Sequence, residues 1–129
     1  GSSTDVIART RGEEDLIAWT KARGAEAEIV LSICTGAGLV AKAGLLDGIA
    51  ATTHWAYVKT LRELAPTTVV LDDMRFVDAG RVISSAGITA SLDAALHLID
   101  RLAGPDVATG VARTLQYSWA NHEYYPPAK

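Results

Sequence analysis

The chain's one cysteine lies within Ser32-Ile33-Cys34-Thr35-Gly36-Ala37-Gly38. A short apolar run, Glu28 to Ile33, precedes it, and small and apolar residues from Leu39 to Leu45 follow. A thiol on a strand-to-helix turn has the layout of a nucleophile elbow. The tight turn lifts the side chain off the carboxyl edge of a sheet, and the glycine two residues on, Gly36, is expected to avoid a clash. Amides and the positive dipole end of the following helix favour thiolate, so Cys34 is expected to be more acidic than a free cysteine. The Thr35 amide is placed to hold a developing oxyanion, although a threonine here also serves simply as a cap. A lone cysteine is more often a small core hydrophobe; the strand–Cys–x–Gly–helix context favours chemistry instead. Gly36-Ala37-Gly38 lacks the full dinucleotide fingerprint and the lysine-hydroxyl pair of a P-loop, which argues against a nucleotide site.

Other chemistry-bearing residues are thinner in pattern. His54 follows a short strand and precedes Trp55; near a thiol, its imidazole would stabilise a thiolate or shuttle a proton. The alternative is a histidine satisfied by backbone at a strand end. Asp93 and His97 stand four apart on one helix face and are expected to pair there as ordinary surface or interface residues. Asp72-Asp73 has no third ligand at metal spacing and reads as a solvated turn, and His122, Glu123, Tyr124 and Tyr125 also lack such spacing. No metal and no cofactor are expected. Trp119 and the tail tyrosines are expected to pack onto the domain or a second subunit.

The elements that must position these residues read as alternating helix and strand. Glu13-Glu14-Asp15, then Leu16, Ile17 and Trp19, then Lys21, Arg23 and Gly24 carry the charge order and terminal glycine of a helix. The run from Glu28 to Ile33 reads as a strand buried on both faces, hence a parallel sheet. Strands are expected at 50–53 and 67–71, and a helix from Trp55 to Leu64 halted by Pro66. A hairpin is expected with the loop Asp78-Ala79-Gly80. Helices are expected over 90–102 and from Gly104-Pro105-Asp106 to about Tyr117, with irregular termini before Asp5 and from Asn121 onward. This is one α/β domain spanning 1–129.

Composition agrees with a packed core: of 129 residues, 49% are hydrophobic and 21% charged, well away from disorder. The net charge of −3, without a basic run, argues against nucleic-acid and anionic-membrane surfaces. The longest charge-free apolar run, Ile29 to Ala41, is too short for a bilayer span of about 20 residues. One free cysteine and no signal-peptide pattern point to a soluble protein of the reducing cytoplasm.

Ser32-Ile33-Cys34-Thr35-Gly36, Ala43-Gly44-Leu45-Leu46-Asp47-Gly48, Ala51-Thr52-Thr53-His54-Trp55, Arg75-Phe76-Val77-Asp78 and Ser84 to Asp93 together resemble the DJ-1/PfpI (ThiJ) family of the class I glutamine amidotransferase-like superfamily. The Cys-Thr-Gly and Thr-Thr-His-Trp forms are most similar to the branch of isocyanide hydratases and AraC-type ligand domains. The protease-like branch has histidine where this chain has Thr35. The resemblance implies a three-layer, flavodoxin-like sandwich with a mostly parallel sheet. Cys34 would be the nucleophile, Thr35 an amide donor, His54 a residue of the pocket, and Gly87 and Ile88 residues packed beside it. It also implies that this chain is N-terminally incomplete. The family's first strand, its glycine-rich loop and the acid that hydrogen-bonds the cysteine are expected on a preceding segment or companion polypeptide. Without them, strand edges would be exposed and aggregation-prone.

Three functions compete. The first is isocyanide hydratase-like catalysis, in which the Cys34 thiolate attacks the isocyanide carbon and water releases an N-substituted formamide. The second is a non-catalytic sensor that binds a small ligand or oxidises Cys34 reversibly; direct DNA binding is disfavoured because no helix-turn-helix follows within the chain. The third is an amidase, deglycase or glyoxalase activity using the same thiol. A homodimer is expected from the resemblance.

Overall fold

The computed structural model describes residues 13–119; the expected irregular termini lie outside them. Helix α1 (Glu13–Glu26) leads into β1 (Val30–Ile33), a 3₁₀ turn (Cys34–Gly36) and α2 (Ala37–Lys42). Next come β2 (Ala50–Ala51), a 3₁₀ turn (Trp55–Tyr57), α3 (Val58–Leu64) and β3 (Val69–Val70). The hairpin strands β4 (Phe76–Asp78) and β5 (Val82–Ser85) precede α4 (Ala90–Ala103) and α5 (Pro105–Thr114). Every expected element is present, with strands shorter than the apolar runs that signal them.

Strand β5 is central to a three-stranded sheet, parallel to β1 with Ile33 opposite Ser85 and antiparallel to β4 with Asp78 opposite Ile83. β2 and β3 form a parallel pair, with β2 packed beside β4 and β5. Side chains alternate across β5. On one face Val82 joins Val40, Ala41, Leu46, Val58 and Leu61 under α2 and α3. On the other, Ile83 joins Phe76 and Ala94 under α4. Helices therefore cover both faces, the three-layer α/β arrangement.

The expectation that β1 is buried on both faces is corrected. Ser32 is buried, but Val30 and Leu31 are half-covered and Ile33 is 39% exposed. The cause is position: among the described residues β1 pairs only with β5, so one backbone edge carries no ladder. Beside it, Trp19, Gly24, Ile29, Val30 and Leu45 line an apolar cavity of about 220 Å³. Arg81 secures the end of α1 by donating to the carbonyls of Gly24 at 2.7 Å and Ala27 at 3.3 Å, groups a helix cannot satisfy itself.

Two buried carboxylates tie α4 to its surroundings. Asp78 is bonded to His97 Nε2 at 2.7 Å, accepts from both Arg101 at 2.9 Å and the Gly80 amide at 2.8 Å, and so clamps the β4–β5 turn. Asp93 accepts from Arg75 at 2.5 Å and from the Tyr117 hydroxyl at 2.9 Å. The expected pairing of Asp93 with His97 is thus absent. Both side chains are 6% exposed, and each turns to a partner from another element instead of along the helix surface.

Asp78→Ala is expected to destabilise the fold by about 3–5 kcal/mol in urea unfolding, because it strands a buried imidazole and a guanidinium. Burial raises the pKa of Tyr117 above 10, helped by its hydrogen bond to Asp93, and burial likewise raises that of Tyr57. A group whose folded pKa lies above its unfolded value stabilises fully below the unfolded value. That contribution is lost as pH rises through the folded value. Urea unfolding between about pH 8 and 11 is expected to show stability falling above about pH 10, less steeply in Tyr117→Phe.

Candidate functional site

The register of β1 against β5 sets the site. Cys34 follows Ile33 directly at the carboxyl edge and adopts φ +56°, the left-handed region that costs a side-chain-bearing residue energy. The chain reverses there into the 3₁₀ turn and α2, with the Ala37 amide bonding back to the Cys34 and Thr35 carbonyls. The thiol-bearing residue is half-buried. It therefore sits on a strained turn between a strand and a helix, as the elbow pattern requires.

The role assigned to Gly36 is corrected. Its φ is −58°, and a Cβ built there would meet no atom within 4 Å, so no clash is avoided. The glycine that matters sterically is Gly38. A Cβ there would lie 2.9 Å from Tyr57 Cε1 and 3.0 Å from Tyr57 Cζ. The buried tyrosine lies across the first turn of α2 and holds that helix against α3.

Beneath Cys34 lies a belt of hydroxyls that motif reading did not single out as functional. Thr53 Oγ1 donates to the Cys34 carbonyl at 2.8 Å, and Ser85 Oγ donates to the Ser32 carbonyl at 3.4 Å. The Thr52 amide donates to Ser84 Oγ at 2.9 Å, and Ser85 Oγ shares a bond with Ser91 Oγ at 3.0 Å at the start of α4. Ser32, Thr52, Thr53, Ser84 and Ser85 are each at most 2% exposed. The available signal was the repetition of paired hydroxyl residues at the ends of two apolar strands, Thr52-Thr53 and Ser84-Ser85.

His54 follows Thr53 and caps the second 3₁₀ turn. Its Nδ1 accepts the Ala56 amide at 3.2 Å, and its ring packs against Trp55 with centroids 5.5 Å apart. Its other edge lies against Gly87, two residues beyond β5. A Cβ on Gly87 would come within 3.1 Å of His54 Nε2 and 3.3 Å of Cγ. Cys34, Thr35, His54 and Gly87 thus gather at one sheet edge, while among the described residues no side chain hydrogen-bonds the thiol. Trp55 and Ile88 are 79% and 77% exposed there, and Ile88 also has a positive φ of 49°. Asp72 lies apart, paired at 3.1 Å with Arg62 at the surface.

A three-layer α/β fold with a cysteine on a strained strand-to-helix turn is the class of protein that the sequence resemblance implied. The chain belongs to the DJ-1/PfpI family, whose model matches residues 5–101. It is 39% identical over 108 residues to an isonitrile hydratase of Pseudomonas putida, covering 82% of this chain and 45% of that protein. It is 37% identical over 97 residues to the HTH-type transcriptional regulator CdhR of Pseudomonas aeruginosa, covering 75% of this chain and 29% of the regulator. The crystal structure of a ThiJ/PfpI family protein from Pseudomonas syringae superposes with a TM-score of 0.74 at 27% identity, covering 96% of this chain and 47% of that one. The chain thus spans under half the length of each of these proteins.

Gly38→Ala is expected to destabilise the fold by about 1–3 kcal/mol through overpacking against Tyr57, despite alanine's better helix propensity. Gly36→Ala is expected to be tolerated. Thermal unfolding of the two variants side by side checks both expectations.

Proposed function

We propose that Cys34 is the nucleophile of an isocyanide hydratase-like reaction. The observation that carries this reading is the left-handed Cys34 turn in a chain 39% identical to an isonitrile hydratase. The thiolate attacks the terminal carbon of R–N≡C, and that carbon takes a proton to give a thioimidate, Cys34–S–CH=N–R. Water adds to the same carbon, the C–S bond breaks, and the thiolate returns as R–NH–CHO leaves. The net change is addition of one water. In this reading the Thr35 amide holds charge near the reacting carbon, and His54 contributes from the neighbouring turn. The edge of β1 that carries no ladder among the described residues is where a preceding segment or companion polypeptide adds a strand and the remaining acid–base group. A homodimer in the reducing cytoplasm, where Cys34 stays a thiol, completes the reading.

The similarity to CdhR supports a second reading, in which the same sheet-edge site binds a small molecule and relays its presence without turnover.

The two separate cleanly. The protein is expected to convert an alkyl or aryl isocyanide to the formamide with one oxygen taken from ¹⁸O-labelled water, and Cys34→Ser to lose this activity by at least about a thousandfold. Saturable isocyanide binding with no formamide formed would favour the sensor.

A further inference from the structure

We infer that His54 serves the proposed reaction as a fixed Nε2–H hydrogen-bond donor and not as a base, and that Gly87 is the positioning residue that holds it so. The inference rests on the hydratase reading for the donor's use and on geometry alone for its existence.

A backbone amide can only donate, so the bond from Ala56 N to His54 Nδ1 at 3.2 Å occupies the Nδ1 lone pair. The proton of the neutral ring is therefore on Nε2. That nitrogen lies on the ring edge packed against Gly87, where a Cβ would stand 3.1 Å away. The nearest atoms to that missing Cβ are all atoms of the His54 ring, so the glycine makes room for the imidazole in particular. The cap bond fixes one edge of the ring and the bare Gly87 backbone receives the other.

Both contacts are at the thiol's own edge of the sheet. Thr53, the residue before His54, bonds the Cys34 carbonyl at 2.8 Å. Ser85, two residues before Gly87, is in register with Ile33, the residue before Cys34. A neutral Nε2–H cannot accept the proton released by an attacking water. It stabilises charge that grows on the isocyanide carbon or nitrogen as sulfur attacks, a role governed by orientation. The proton added to carbon comes from another group.

The asparagine and glutamine variants divide the two ring nitrogens. His54→Asn keeps an acceptor for the Ala56 amide, asparagine being a good helix cap, but loses the donor. His54→Gln reaches the Nε2 position with an amide N–H. On the hydratase reading, His54→Asn is expected to lower kcat about 100- to 1,000-fold with KM little changed, and His54→Gln to recover at least about tenfold of that loss. Gly87→Ala is expected to lower kcat in the parent protein but to add nothing in His54→Asn, since the ring it would strike is gone. Imidazole ¹⁵N–¹H correlation spectra are expected to show one His54 tautomer, protonated at Nε2, and to lose that signature in Gly87→Ala. A ring protonated at Nδ1, undiminished kcat in His54→Asn, or fully additive losses in the double variant would each overturn the inference. A parent protein that turns over no isocyanide removes the hydratase reading instead, and the spectra still decide the tautomer.

Discussion

Everything at the candidate site depends on satisfying buried backbone polar groups where the central strands end. A strand that stops inside a protein leaves carbonyls and amides with no ladder partner, and burying them unpaired costs on the order of a kilocalorie or more each. Here hydroxyl side chains from neighbouring segments close the gaps. Thr53 adds a second donor to the Cys34 carbonyl beside the Ala37 amide, Ser85 donates to the Ser32 carbonyl, and Ser84 receives the Thr52 amide. These bonds do more than satisfy. They join β1, β2 and β5 at one level, so the strained Cys34 turn is held from two sides by segments distant in sequence.

The same hydroxyls connect the site to α4 through Ser85 and Ser91. The helix is then fixed farther along by Asp93 and, at its far end, by the Asp78 cluster. Arg75 is held above its usual pKa by the Asp93 hydrogen bond. Buried ion pairs add little net stability against well-packed apolar residues, but they are costly to break. Their effect in this fold is to fix where α4 begins, and so where Gly87 and Ile88 stand relative to the thiol.

The local grammar of the chain was readable. The charge order of α1, the apolar run of β1, the turn at Asp78-Ala79-Gly80 and the amphipathic α4 all carry periodic or dipolar signals that need no tertiary partner. Cys34 was legible for the same reason, because strand, thiol and helix start are contiguous. What the chain hid was every choice made across it. Asp93 and His97 look like a pair only to a rule confined to one helix; their partners lie 18, 24 and 19 residues away. Gly36 and Gly38 are indistinguishable until Tyr57 is in place. The exposed face of Ile33 could not be read either, since a continuous apolar run looks the same at a sheet's edge as at its centre.

The seating of α1 by Arg81 has a consequence for the order in which the chain becomes organised. The first described helix is secured at its C-terminal end by a side chain 57 residues downstream. During synthesis that anchor does not exist until the β4–β5 turn has left the ribosome, and contacts of such sequence separation are entropically expensive to close early. This helix is therefore made well before the residue that anchors its C-terminal end. Trp19 and Ile33 keep apolar surface exposed beside β1 even after that anchor has formed.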